Sequence, residues 1–302
     1  MTLTELRYIV SLAQERHFGR AAERCCVSQP TLSVAVKKLE EELGVPLFER
    51  SKSSVQPTPV GERIVSQAQK VLEEVQGISE LAHAGRDQLK ATLKIGAIYT
   101  VGPYLYPHLV PAIRDLAREM PLYLEENLTE VLREKLHRGE LDAIVIALPF
   151  EEADVLVRPL FDEPFVMLLP SGHEWDGQAT VDPQDLHQTR LLMLGEGHCF
   201  RDQVVETCPG LQRRESGALI TEGGSLETIR HMVAGGLGAS VIPQSAAVGL
   251  QESPELHLKA FDPVPSRTLA LAWRASFPRP KAIEVLLQSI LQCREPFLDG
   301  RP

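Results

Sequence analysis

The stretch Ser28-Gln-Pro-Thr-Leu-Ser-Val-Ala-Val-Lys-Lys-Leu-Glu-Glu-Glu-Leu-Gly44 opens with a cap and closes with a stop. Ser28 can accept from the backbone of the first turn, Gln29 and Pro30 take opening positions where a missing N–H costs nothing, and Gly44 supplies a left-handed end. Leu32, Val36, Leu39 and Leu43 recur at helical spacing and predict a buried stripe. Upstream, Leu3, Leu6, Ile9, Val10 and Ala13 form another stripe ending near Glu15-Arg16, and Arg20 to Cys25 reads as a short helix turning at Cys26-Val27. Two helices joined by a tight turn, the second capped at its N-terminus, make a helix-turn-helix candidate. Its second helix would enter the major groove by its N-terminal residues, with Gln29, Thr31 and Ser33 on the polar side. The same pattern also suits an ordinary three-helix core.

Residue types favour the first reading. Phe18, Ala21-Ala22, the run Ser28 to Ser33, Leu39-Glu40, Leu43-Gly44, Leu47-Phe48-Glu49-Arg50 and Thr58-Pro59-Val60-Gly61 together resemble the winged helix-turn-helix of LysR-type transcriptional regulators. The resemblance implies that Ser28, Gln29, Pro30, Thr31 and Ser33 touch the groove and that Lys37 reaches phosphate. It also implies that Arg50, on a wing from Phe48 to Gln56, contacts the backbone or minor groove. Gly19 stands where the family often has a Ser or Thr cap, and Cys25 where it usually has Leu; Cys25 and Cys26 read as small core hydrophobes. The acidic run Glu40-Glu41-Glu42 would repel phosphate and is expected to point away from DNA.

The net charge of −10 argues against bulk nucleic-acid binding, but residues 1 to 60 carry eight Lys and Arg against seven acids, so that part is +1 and the remainder −11. At 302 residues and 43% hydrophobic, the chain has room for two or three folded domains. No apolar run approaches the roughly 18 residues of a membrane span, and charges sit where a signal peptide needs an apolar core, so a cytoplasmic protein without membrane association is expected. Five cysteines without framework spacing suit a reducing compartment. No G-x-G-x-x-G, P-loop, H-E-x-x-H or C-x-x-C occurs, so neither an enzyme nor a metal or other cofactor is expected.

From Thr58-Pro59 a long helix carries Ile64, Ala68, Val71, Val75, Ile78 and Ala82 at alternating spacings of four and three, a heptad seam that seeks a partner helix or packs on its own chain. Pairing with a second copy would present two recognition helices about one DNA turn apart. Ala84-Gly85-Arg86-Asp87-Gln88 reads as a hinge. The expected organisation is a DNA-binding domain at 1–58, a dimerisation helix and hinge at 59–89, and an α/β body at 90–302.

In the body, strands at Thr92 to Ile98, Leu122 to Glu126 and Ala143 to Leu148 alternate with helices from Pro103 to Glu119 and Thr129 to Arg138. A second lobe, about 163–267, holds Phe165 to Leu169, Arg190 to Leu194, Leu219 to Thr221, a helix from Ser225, and Gly238 to Ile242. The chain returns with Arg267 to Trp273 and a last helix from Lys281 to Arg294, so that the first lobe comprises about 90–162 and 268–302. Two lobes with two crossings resemble the periplasmic-binding-protein-like regulatory domain of the same family, in which ligands lie between the lobes.

The second lobe contains Gly195-Glu-Gly-His-Cys-Phe-Arg-Asp-Gln-Val-Val-Glu-Thr-Cys208. Phe200 to Thr207 reads as two helical turns, which puts Cys199 near a helix N-terminus, where free N–H groups and the dipole favour a thiolate; Arg201 and His198 would add to this. Cys208 lies nine residues on, and a continuous helix would separate the Cα atoms by roughly 13 Å. A disulfide tolerates about 4.4 to 6.8 Å. The two are either inert buried thiols or a pair that joins only if the helix unwinds.

The segment resembles the hydrogen-peroxide-sensing branch of the LysR family, and the likeness extends over essentially the whole chain. It implies that Cys199 is the peroxidatic thiol, that Cys208 resolves it in a reversible disulfide, and that Thr100, Thr129, His198, Asp202 and Arg267 line a peroxide pocket. It further implies an activator of oxidative-stress genes working on double-stranded operator DNA with RNA polymerase, a dimer of dimers, and reduction by glutaredoxin or thioredoxin. A LysR-type regulator that binds a small metabolite near Thr100 and Thr129 is the alternative. Cys293, on the final helix, reads as inert.

Overall fold

The computed structural model describes residues 1–50, 55–84, 88–208, 211, 221–250 and 253–294, with the backbone alone at 50 and 79–84. The chain falls into two compact units, Met1–Arg86 and Asp87–Pro302. Pro209-Gly210, Leu219 and the hinge residues Gly85 to Asp87 lie outside the described residues, as does the Arg50 side chain.

In the first unit, α1 (Leu3–Glu15), α2 (Phe18–Arg24) and α3 (Gln29–Leu43) are followed by the hairpin of β1 (Phe48–Arg50) and β2 (Val55–Pro57), then by α4 (Pro59–Ala84). A capping box starts α1, with Thr2 and Glu5 satisfying each other's backbone N–H. The cap of α2 is His17, whose Nδ1 accepts from Gly19 N at 3.1 Å and Arg20 N at 3.3 Å. Gly19 is therefore already inside the helix, and the capping position assigned to it from sequence shifts two residues upstream. Leu32, Val36 and Leu39 are buried as their spacing predicts, whereas Leu43 is 36% exposed because α3 ends there in left-handed Gly44.

Along α4, Ile64, Val65, Ala68 and Leu72 pack on the core of their own unit, while Val71 and Ile78 are exposed. The seam expected from sequence thus divides. Ile64, Ala68 and Leu72 serve the local core, Val75 is half-buried, and Val71 and Ile78 keep apolar surface open to solvent.

Among the described residues, the second unit is built on one mixed ten-stranded sheet. Its first lobe holds β3 (Leu93–Ile98), α5 (Gly102–Leu116), β4 (Leu122–Asn127), α6 (Thr129–His137) and β5 (Ala143–Ala147), with β3 parallel to both β4 and β5. β6 (Val155–Pro170) runs through both lobes, and β12 (Ser266–Arg274) returns antiparallel to β5 and β6. Sequence reading finds only the second half of β6, because Pro159 and Pro164 break the strand signal. The ladder pairs Pro159 with Ala270 and bulges at the next residue, Leu160, where the register slips between Leu269 and Ala270.

The second lobe adds β7 (Thr180–Val181), β8 (Leu191–Leu194), α7 (Cys199–Thr207), β9 (Thr221–Gly223), α8 (Leu226–Ala234), β10 (Ala239–Pro243) and β11 (Leu256–Phe261). There β6 lies between β10 and β11, and β8 pairs in parallel with β9 and β10. The last helix, α9 (Pro280–Gln292), returns to the first lobe, and each lobe has its own apolar core. No described helix is long and apolar enough to cross a membrane.

Candidate functional site

Parallel strands deliver their C-terminal ends to one side of a sheet, and loops leaving those ends build sites there. The loop after β3 brings Tyr99 and Thr100, the end of β4 brings Asn127 and Leu128, α6 starts at Thr129, and the loop after β8 leads through Gly197 to His198 and Cys199. Gly197 makes this last turn with φ +89°, a left-handed conformation that side chains rarely adopt. These residues, with Ile98 and Phe200, enclose a cavity of about 10 Å³. That is room for one molecule about the size of water.

Two helix N-termini meet at this cavity, those of α6 and α7, and neither has a side-chain cap. Their unpaired N–H groups favour negative charge, as a thiolate at Cys199 requires. Cys199 is half-buried and packs against the core of the first lobe, while Phe200, next in the chain, belongs to the core of the second. The Thr129 hydroxyl is buried without a hydrogen-bond partner. An unmet hydroxyl beside a cavity of this size is free to hydrogen-bond a small polar molecule.

Arg267 sits behind the cavity wall, against Thr100. The guanidinium donates through Nη1 to Thr100 Oγ1 at 2.7 Å and through Nη2 to the Thr100 carbonyl at 3.0 Å. Its Cζ lies 5.0 Å from the centroid of Phe200, whose ring meets Phe165 edge to face. Arg267 is therefore next to the site through Thr100 rather than part of the lining.

The remaining expectations divide. His198 lines the cavity against Tyr99, but burial lowers its pKa from the ordinary 6.5, so near neutral pH it is an uncharged donor or acceptor and adds no positive charge to Cys199. Arg201 turns the other way, to the Leu194 carbonyl and an ion pair with Glu222. Asp202, in the first turn of α7, is exposed and outside the lining.

Cys208, at the far end of α7, is fully buried in the second lobe, and burial pushes its thiol from 9.0 up to about 11. It is held as a thiol, a weak nucleophile, in the other lobe's core. Sequence reading missed Gln203, one turn below Cys199, whose Nε2 donates to the Leu148 carbonyl at 3.1 Å and whose Oε1 is buried without a partner.

On the first unit, Ser28, Gln29, Pro30, Thr31 and Lys37 are exposed and Ser33 half-buried at the start and along one face of α3. Ser28 Oγ accepts from Thr31 N at 3.3 Å as the helix cap. The acidic run is occupied within its own unit: Glu40 accepts from Leu47 N and Phe48 N, Glu42 pairs with the chain's amino terminus, and Glu41 lies 3.5 Å from Lys37. Val34, 69% exposed among these polar residues, had no signal in the sequence beyond falling off the apolar stripe.

Residues 3–62 match the bacterial regulatory helix-turn-helix protein family, lysR type, and residues 86–293 match the LysR substrate binding domain. The chain is 39% identical over 294 residues to the DNA-binding transcriptional dual regulator OxyR of Escherichia coli K12, covering 96% of this chain and 95% of that one. It is 36% identical over 303 residues to the hydrogen peroxide-inducible genes activator of Haemophilus influenzae, covering 99% of each. Among solved structures it resembles a full-length Cys-to-Asp variant of OxyR from Pseudomonas aeruginosa, at 64% identity and TM-score 0.77 over 97% of this chain and 98% of that one. A peroxide-bound Cys-to-Ser variant of OxyR from Corynebacterium glutamicum aligns at 30% identity and TM-score 0.66, over 98% and 94% of the two chains. The chain belongs to the LysR family of bacterial transcription regulators and is an OxyR-like member of it.

Proposed function

We propose that this protein is a hydrogen-peroxide-sensing, DNA-binding transcriptional regulator switched by a reversible Cys199–Cys208 disulfide. The observation that carries the reading is the cavity: Cys199 at a helix N-terminus, opposite the partnerless Thr129 hydroxyl, in a space of about 10 Å³. A metabolite pocket runs to about 300 Å³ or more. So small a space favours a ligand of one or two heavy atoms, such as peroxide, over a small carboxylate.

The Cys199 thiolate attacks one peroxide oxygen, the O–O bond breaks, and the departing hydroxide takes a proton to become water, leaving Cys199 as sulfenic acid. The Cys208 thiol then displaces the sulfenic oxygen as a second water and the S–S bond forms. One peroxide is consumed per dithiol until a reductant of the glutaredoxin or thioredoxin type restores it, so the protein acts as a sensor rather than a turning-over enzyme. Because a nine-residue helix separates the thiols, bond formation requires α7 to unwind and Cys208 to leave the core of the second lobe. Repacking of that lobe shifts subunits of a dimer of dimers, and with them the operator half-sites engaged by α3 and the wing, where Arg50 meets the backbone. On this reading the protein activates transcription with RNA polymerase in the cytoplasm.

Trapping the intermediate tests the reading. With Cys208→Ser, peroxide followed by a sulfenic-acid-specific dione should label Cys199 stoichiometrically. A fully peroxide-responsive Cys199→Ser protein would contradict the assignment.

A further inference from the structure

The ionic chain behind the cavity starts at a residue outside the site as described. Glu163 lies where β6 passes from the first lobe to the second, and its side chain and that of Arg267 are both 0% exposed. Glu163 Oε2 accepts from Arg267 Nε at 2.8 Å and lies 2.7 Å from Nη2. Glu163 Oε1 accepts from the backbone N of Ser245, at 3.0 Å, in the short 3-10 turn Gln244–Ala247. One edge of the guanidinium is thus held by Glu163, and the other holds Thr100 by its hydroxyl and its carbonyl. The guanidinium is planar and rigid, so the placement of one edge fixes the other. With Arg267 donating to it, the Thr100 hydroxyl has its own proton free to donate, and Thr100 lines the cavity.

We propose that Glu163 is a positioning residue of the peroxide site: its carboxylate aligns Arg267, and Arg267 fixes the Thr100 hydroxyl as a donor to the bound peroxide. This rests on the reading of the cavity as a peroxide site. Glu163 acts at a distance, through a guanidinium that does not itself line the cavity. Its second oxygen, on Ser245 N, fastens the same carboxylate to the other lobe, so the alignment holds while the two lobes keep their packing. Neutralising the charge of Arg267 would need only any nearby anion; aligning it needs a carboxylate with both oxygens committed.

Two reagents that meet the same sulfur separate alignment from a general structural role. Iodoacetamide reports the thiolate of Cys199 but has no use for the Thr100 hydroxyl, whereas peroxide needs both. In reduced full-length Cys208→Ser protein, second-order rates with hydrogen peroxide and iodoacetamide are measured at several pH values for Glu163→Gln, Thr100→Val and the double variant. Glu163→Gln is expected to slow the peroxide reaction about tenfold or more and to leave the iodoacetamide rate and its pH profile about unchanged, as does Thr100→Val. The double variant should be no slower than the slower single one, because both act through one hydroxyl. Equal loss with both reagents, no loss with peroxide, or multiplicative loss in the double variant would each overturn the proposal. Should Glu163→Gln fail to fold, Glu163→Asp keeps the charge but withdraws it by about one carbon–carbon bond, and it must show the same selective loss. If the parent protein favours peroxide over iodoacetamide no more than free cysteine does, the peroxide site itself fails, and this proposal with it. A selective parent with an unaffected Glu163→Gln overturns the role of Glu163 alone.

Discussion

Thr129 carries a hydroxyl that is buried and bonded to nothing. An unmet buried polar group costs about 1–3 kcal/mol, a cost that a peroxide bound in the proposed site would relieve. Thr129→Val, which keeps the shape, is therefore expected to leave the melting temperature of the reduced protein unchanged or slightly raised while slowing peroxide oxidation of Cys199 by about tenfold. Parallel thermal melts and stopped-flow traces check both halves, and a destabilised variant with an unaltered peroxide rate would remove Thr129 from the site. Cys208 gives a pH signature of its own. Its folded-state value, about 11, lies above the ordinary 9.0, so the native state holds this proton more tightly than the unfolded chain. The stabilisation is complete below pH 9 and is lost as pH rises through about 11. Melting temperatures of the reduced protein should fall across that window, and less so in Cys208→Ala. At this scale the sequence tells how Cys199 reaches a helix start, because the Gly-Glu-Gly-His turn is local. It does not tell that His198 is desolvated or that Arg267 meets Thr100 across 167 positions of chain, since both depend on how distant segments pack.

The helix α7 is nine residues long, with its first side chain in one lobe's core and its C-terminal cap in the other's. Its inner face rests on a second small void of about 10 Å³ lined by Met193, Phe200, Val204 and Ile229 among others. Val204 is 2% exposed there, and Val204→Ala should destabilise the helical state by about 2 kcal/mol. If oxidation unwinds α7, that cost falls on the reduced protein alone. The Cys199–Cys208 couple then shifts about 40 mV more negative, at roughly 30 mV per 1.4 kcal/mol for two electrons. Equilibration against glutathione or dithiothreitol measures it, and an unchanged potential would mean that α7 keeps its packing in the disulfide form. Elements with a local signature are legible in the sequence: α3 through Ser28, Pro30 and Gly44, and β5 through its apolar run. The first half of β6 is not, because Pro159 and Pro164 suppress the strand signal and the ladder bulges next to Pro159, at Leu160.

On the scale of the whole molecule, a switch in one unit matters only if copies of the chain are joined. In α4, Val71 at 37% and Ile78 at 66% exposure carry the part of the seam that the described core of its unit leaves open. Ile78→Glu should reduce self-association in sedimentation experiments and weaken operator binding by about a hundredfold or more, since a lone half-site forfeits the linkage between recognition helices. An associated, tightly binding Ile78→Glu protein would place the interface elsewhere. Capping and periodicity make a helical N-terminal part, a long helix and an α/β body legible, while the reading of the first as a DNA-binding domain comes from the resemblance to the LysR family. The division of the α4 seam is not legible, because periodicity marks an apolar face without saying what covers it. Conversion of these two distant thiols into a bond by one peroxide can be observed directly. Anaerobically reduced protein is treated with one equivalent of hydrogen peroxide, quenched within seconds, digested and mapped by mass spectrometry without reductant. A linked peptide joining Cys199 to Cys208 is the predicted result, and free thiols at both positions after that exposure would contradict it.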